Sequence, residues 1–346
     1  MNQAAPDIDP TYWPGILSRI TANEPLSSDE AAGAMRAIMR EQATPVQVAG
    51  FLMALRAKGE TTDEVEGFAT AILEFAAPVR TSGPVVDTCG TGGDRSGTFN
   101  ISTVTAIVVG GSGLVVAKHG NRAATSLCGS ADVLEALGVK IDLDARGVER
   151  CLEDAGIAFL LAPVFHPAAA YAAGIRRELK TPTVFNFLGP LTNPARPTAQ
   201  AIGVSDARML PLMANVLARR GATAKLFQGL DGLDELSTTM PSVVYDVKDH
   251  EVRKRMFDPD DLDIAHAKAA ALRGGDAATN VEILRAVLGG EQGPRRDIVL
   301  LNAAAVFQIA GEVDELADGM ARAAESIDSG RAAALVDRWI EVSNAA

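Results

Sequence analysis

Pro84-Val85-Val86-Asp87-Thr88-Cys89-Gly90-Thr91-Gly92-Gly93-Asp94 is the stretch that decides the fold. Pro84-Val85-Val86 reads as a short strand running into a glycine-rich loop. Ser102 to Val109 reads as a helix, and Leu114-Val115-Val116-Ala117 as a second strand. The alternation continues. Ala131 to Leu137 is helical, Asp144 can cap a helix closing at Gly156, and Ile157 to Leu161 is a third strand run. Ala199 to Val204 is a fourth, Ser205 offers an N-cap for a helix reaching Gly221, and Ala224 to Phe227 is a fifth. Such alternation predicts an α/β layer around a central, largely parallel sheet. Val243 to Val247 and Glu251 to Met256 read as a hairpin, and the chain from Asp276 onward as mostly helical.

Upstream of Val85 the patterning is helical. Ser27 with Glu30 and Thr61 with Glu64 form capping boxes, and Thr44-Pro45 supplies an N-cap and a first-turn proline. Val48, Phe51, Leu52 and Leu55 recur at helical spacing, and Gly59 stands where a helix would end. The expected organisation is a small helical N-terminal domain over 1–80 and a larger α/β domain over 81–346.

The 346 residues suffice for both, and a chain 47% hydrophobic and 22% charged can bury a sizeable core. The formal net charge of -12 argues against a nucleic-acid binder. It also repels anionic substrates, so a phosphate substrate would need local backbone N–H groups, a few cations or a metal ion. Cys89, Cys128 and Cys151 lack C-x-x-C spacing and read as free thiols. The four histidines lack zinc-ligand spacing. No apolar run is long enough to span a membrane and the N-terminus carries no leader pattern, so a cytoplasmic protein without membrane partners is expected.

Three strand ends carry unusual residues. After the first, Gly90, Gly92 and Gly93 allow close backbone approach, and Asn100, Ser102 and Thr103 open the following helix. A phosphate nest and a tight turn with an ordinary N-cap both fit these residues. After the second comes Lys118-His119-Gly120-Asn121-Arg122, then Thr125, Ser126, Gly129 and Ser130. Lys118 can place a point charge on phosphate; His119 and Arg122 equally suit a polar surface loop. The third end carries Asp231-Gly232-Leu233-Asp234-Glu235-Leu236-Ser237, whose carboxylates suit Mg²⁺ or simply solvent. Two anion-friendly loops and one acidic loop on one sheet edge together suggest a Mg²⁺-polyphosphate substrate.

These residues resemble those of the anthranilate phosphoribosyltransferase family. The likeness rests on Asp87 to Asp94, Asn100-Ile101-Ser102-Thr103, Lys118 to Arg122, Gly129 to Glu135, Asn186-Phe187-Leu188-Gly189-Pro190-Leu191-Thr192-Asn193-Pro194 and Gly232 to Glu235. It covers essentially the whole chain, with small departures at Thr125 and Cys128. The resemblance implies the nucleoside phosphorylase and phosphoribosyltransferase type of α/β fold. It also implies a segment 167–184 packed on the helical domain, and a homodimer formed through that domain.

The implied reaction is attack by anthranilate's amine on C1 of 5-phosphoribosyl 1-diphosphate, an early step of tryptophan biosynthesis. The resemblance assigns Gly90, Gly93, Asp94, Thr98, Asn100, Ile101, Ser102, Thr103, Lys118, Ser126 and Ser130 to the ribose-diphosphate. It assigns Ser102, Asp234 and Glu235 to Mg²⁺, and Gly90, Asn121 and Arg176 to anthranilate. No general base is assigned, and His119 is a candidate polar contact. A pyrimidine nucleoside phosphorylase and a non-catalytic nucleic-acid-binding relative are the competing readings. The first carries a different phosphate loop and an extra domain; the second would be basic.

Overall fold

The structure is a computed structural model that describes residues 9–123 and 127–346. Four helices come first: α1 (Tyr12–Thr21), α2 (Ser28–Met39), α3 (Pro45–Lys58) and α4 (Thr62–Glu74). Their starts follow the capping chemistry of the sequence. Ser27, Thr44 and Thr61 each accept the N–H three residues on, and Glu30, Gln47 and Glu64 return the bond.

The remainder is built on one seven-stranded sheet of order β3-β2-β1-β4-β5-β6-β7. Its strands are β1 (Val86–Gly90), β2 (Val116–Gly120), β3 (Ile157–Leu161), β4 (Ala199–Gly203), β5 (Thr223–Gly229), β6 (Ser242–Lys248) and β7 (Glu251–Phe257). β1 to β5 are mutually parallel, and β5, β6 and β7 pair antiparallel. The intervening helices are α5 (Ile101–Gly111), α6 (Ser130–Leu137), α7 (Ala145–Asp154), α8 (Ala162–Phe165), α9 (Ala170–Leu179), α10 (Phe185–Leu188) and α11 (Met209–Arg219). Four more close the chain: α12 (Ala277–Leu288), α13 (Pro294–Ile309), α14 (Leu316–Asp328) and α15 (Arg331–Ala345).

Two strands run further than their apolar patterns suggest. β1 continues through Asp87, Thr88 and Cys89 to Gly90, and β2 takes in Lys118, His119 and Gly120. Polar residues normally end a buried strand. Here Asp87 and Lys118 are buried as strand residues because they compensate each other. The Lys118 ammonium lies near the Asp87 carboxylate, which also accepts from Asn193 Nδ2 at 2.9 Å. Ser205 also departs from expectation. α11 starts only at Met209, and Ser205 turns back to the glycine loop instead of capping it.

Two apolar clusters flank the sheet. One joins α5, α7, α13 and α15 to Val86, Val116 and Phe159. The other joins α1 to α4 with α11, and with Ile202 and Leu226 from the opposite sheet face. Ala172, Ile175 and Val184 are buried in this second cluster, so the α9 region packs with the N-terminal helices. Arg56 adds a bond to Pro182 O at 3.0 Å. None of the three buried cysteines is in a disulfide.

Candidate active site

In a parallel sheet, the loops leaving the carboxyl ends of the strands share one edge. Register puts Gly90 beside Gly203, and Gly203 beside Phe227. The loops after β1 and β5 therefore meet. A Cβ on Gly90 would lie 2.4 Å from Asp234 Oδ2, and one on Gly203 would lie 1.6 Å from Asp234 O. Glycine at both positions is what admits the acidic loop. Gly92 N donates to Asp234 Oδ2 at 2.7 Å, and Thr91 N to Gly203 O at 2.9 Å. Ser205 closes this joint, donating from Oγ to Gly92 O at 2.7 Å.

The second loop joins the first through Lys118. Its Nζ donates to Thr88 O at 2.6 Å and to Ser102 Oγ at 3.2 Å. Ser102 lies in the first turn of α5, where its N–H goes to the Glu235 carboxylate and that of Thr103 to Asn100 O at 3.0 Å. Asn100, at the N-cap, makes no side-chain cap and bonds Cys128 O instead, leaving its Oδ1 without a partner. Thr103 Oγ1 is likewise buried without a partner. Thr98 Oγ1 meets Ser96 Oγ at 3.3 Å. Ile101 has its side chain in the core and gives its N–H to Phe99 O.

The electrostatics of the acidic loop are unusual. Burial, then the nearby Asp94 carboxylate, pushes Asp234 up to about 8. Burial and Asp234 push Glu235 well above the usual carboxylate range, against the pull of Lys118. Asp94 Oδ2 is also buried without a hydrogen-bond partner. Asp94, Asp234 and Glu235 thus gather three carboxyl groups at one place, with Lys118 as the cation near Glu235, and burial and mutual repulsion hold Asp234 and Glu235 toward the protonated form. A divalent cation with oxygen preference fits that donor set. Asp231 is different: Ser237 and Thr239 hydroxyls and Leu233 N bond to it, and it shapes the loop.

The opposite side of β2 faces a second constellation. His119 Nδ1 meets Gly189 O at 3.0 Å, and its ring lies 5.2 Å from that of His166. Burial, then His166, lowers His119 to about 3, so it is neutral and Nδ1 carries the proton. Its Nε2 is a buried acceptor without a partner. The segment carrying Gly189 also carries Asn186, whose Oδ1 accepts from Arg176 Nη2 at 3.5 Å. Arg176 lies over the Phe185 ring at 5.2 Å, and burial lowers its pKa. No carboxylate among the described residues pairs with it. Such a guanidinium suits a carboxylate ligand.

Not every residue of these loops converges. Arg122 is bound by Glu135 and Asp132 and serves as a surface strut. Asn121 is exposed, with Oδ1 accepting from Arg122 N; Ser130 Oγ donates to Asn121 O at 3.3 Å. Thr125 and Ser126 lie outside the described residues. Sequence reasoning passed over Asn193, which also donates to Ala117 O at 2.8 Å, and His166 and Gly203. Asn193 stood inside a motif already singled out, and Gly203 at a strand end. His166 had no local signal.

The family model described as "Glycosyl transferase family, helical bundle domain" matches residues 14–76, and "Glycosyl transferase family, a/b domain" matches residues 82–333. The anthranilate phosphoribosyltransferase of Acidothermus cellulolyticus is 56% identical over 344 residues, 98% of this chain and 97% of that one. The chain belongs to the anthranilate phosphoribosyltransferase family. Among solved structures, the family member from Thermus thermophilus superposes with a TM-score of 0.90 at 40% identity, covering 95% of this chain and 99% of that one. The Saccharomyces cerevisiae member, in complex with PRPP and Mg, gives a TM-score of 0.90 at 27% identity, covering 98% and 99%. That yeast protein has also been solved with 4-fluoroanthranilate.

Proposed function

We infer that the protein transfers the 5-phosphoribosyl group of 5-phosphoribosyl 1-diphosphate to the amine of anthranilate, in tryptophan biosynthesis. The products are N-(5-phosphoribosyl)anthranilate and diphosphate. The observation that carries this reading is the buried acid pair Asp234-Glu235, held against the glycine loop by Gly92 N. The yeast relative's complexes with PRPP, Mg and an anthranilate analogue support it.

Gly90, Gly93, Asp94, Thr98, Asn100, Ile101, Ser102, Thr103, Lys118 and Ser130 would form the ribose-diphosphate site, with Ser126 from outside the described residues. Asp234, Glu235 and Ser102 would hold Mg²⁺, which when bound neutralises charge developing on the leaving diphosphate. Lys118 would stabilise the same charge. Arg176 would bind the anthranilate carboxylate, with Asn121 and the close backbone of Gly90 placing the amine. An aromatic amine is neutral and nucleophilic at pH 7, so placement replaces a strong base. His119, neutral and acceptor-only at Nε2, would be a polar contact.

Residues 1–80 with 167–184 would form the helical domain, and 81–346 the α/β domain. A homodimer through the helical domain is supported by the outward face of α3. Val46, Gly50, Met53 and Ala57 recur there at helical spacing and are exposed. No helix among the described residues is long and apolar enough to cross a membrane; a cytoplasmic enzyme without nucleic-acid partners is the accompanying proposal.

Anthranilate fluorescence tests the reading. The signal should fall only when 5-phosphoribosyl 1-diphosphate and Mg²⁺ are both supplied. Consumption without the ribose-diphosphate, or none with both, would refute it.

A further inference from the structure

The loop after β1 contains a cation that the site described above leaves without a task. Gly92, Gly93 and Gly97 have φ of 68°, 83° and 65°, and Arg95 among them has φ of 61°. The left-handed region disfavours any side chain, and its neighbours in that region are glycines. Crowding does not force the choice. A Cβ on Gly92, Gly93 or Gly97 would meet nothing within 4 Å, so the loop stands clear of the body. Asp94 Oδ1 accepts from Ser96 N at 3.2 Å, bridging over Arg95 and holding it in this conformation.

The side chain has no structural partner to justify that strain. Arg95 is exposed and, among the described residues, makes no hydrogen bond or ion pair. Its counterparts around the site are committed. Arg122 is held by Asp132 and Glu135, and Arg208 by Asp206. Lys118 is buried against Thr88 O and Ser102 Oγ. Gly92 N and Ser96 N are also taken, by Asp234 and Asp94. Gly93 and Arg95 are left-handed and Asp94 between them is not, an alternation that turns successive N–H groups toward one anion.

We propose that Arg95 is a binding residue for the diphosphate end of the ribose-diphosphate substrate, its guanidinium closing over the anion faced by the N–H groups of Gly93 to Arg95. The proposal rests on the function inferred above. Gly92 N is bound to Asp234, and Arg95 follows three residues later in the same loop, on the side where the phosphoryl groups carrying the metal would lie. In a chain of net charge -12, an unpaired arginine in that loop offsets repulsion of the incoming anion.

The test compares wild type with R95Q, R95K and R95G by steady-state kinetics and by calorimetric titration with inorganic diphosphate and Mg²⁺. R95Q should raise both the ribose-diphosphate KM and the diphosphate Kd about tenfold, as expected for one partly exposed charge-assisted contact. The change should be carried by KM, with the anthranilate KM within about twofold, and should shrink at high salt. R95K should recover part of the affinity. R95G should raise Tm by relieving the strain, yet lose affinity like R95Q. An R95Q protein with both constants within about twofold of wild type overturns the proposal, as does an R95G protein that binds diphosphate as tightly as wild type. The titration needs no turnover. If wild type fails to consume anthranilate but binds diphosphate more tightly than R95Q, the inferred reaction falls and this site stands.

Discussion

Two buried acidic sites of this molecule have opposite character. In the helical region Glu64 is fully buried, and every demand it makes is met. Leu26 N donates to it at 3.0 Å, Thr61 N at 2.9 Å and Lys58 Nζ at 2.9 Å. At the sheet edge Asp234 and Glu235 are also buried, but their surroundings push them toward the protonated form, and Asp94 adds a third carboxylate. A satisfied buried charge holds a fold together; a cluster of like charges opposes folding and persists where a ligand completes it. The first site therefore reads as structure and the second as function.

Substitutions at the two sites should have separable effects. The largest effect should come from Asp234→Ala with Glu235→Ala. Mg²⁺-dependent turnover should fall about 10³-fold or more, because several kcal/mol of leaving-group stabilisation goes with the metal. Circular dichroism should show an intact fold; near-normal activity would remove the metal assignment. Glu64→Ala should do the reverse. It strands Lys58 and two backbone N–H groups, costing about 3 kcal/mol in denaturant unfolding, while kcat of the folded fraction stays close to wild type.

Gly203→Ala lies between the two, since its Cβ would strike the Asp234 carbonyl. The acidic loop must shift, and both stability and turnover should drop, each by about 1–3 kcal/mol. Loss of stability without loss of turnover would show that the loop's placement is not limiting. Arg176→Ala should mainly raise the anthranilate KM, by roughly tenfold. A raised ribose-diphosphate KM with an unchanged anthranilate KM would contradict the assigned role. The smallest effect on chemistry should follow Val46→Asp with Met53→Asp. Sedimentation should shift from two copies to one; an unchanged mass would move the dimer contact elsewhere.

Much of this was legible in the sequence, for local reasons. The capping boxes at Ser27 and Thr61 and the N-cap at Thr44 are short-range chemistry, and the structure contains all three. Strand–helix alternation predicted the sheet and its hairpin. Strand ends were less legible. Asp87 and Lys118 read as loop residues because their compensation is a tertiary contact between neighbouring strands. Ser205 read as a cap because nothing local shows that Gly92 O lies within its reach. The site's meaning depended on similar distances. Asp234-Glu235 could have been a solvated acidic loop until Gly90 and Gly203 brought the backbone against it. Arg176 was assigned through the resemblance alone, and its burial against Phe185 depends on a segment packing back on the first helices.

The proposed site implies that Asp234 and Glu235 are retained for a metal-diphosphate at a cost in stability. Thermal unfolding of wild type and D234N/E235Q, with EDTA and then with Mg²⁺ and diphosphate, tests it most directly. The variant should melt no lower than wild type in EDTA, and Mg²⁺ with diphosphate should raise the Tm of wild type alone. A variant that is less stable in EDTA, yet shifts upward with Mg²⁺ and diphosphate as wild type does, would contradict it.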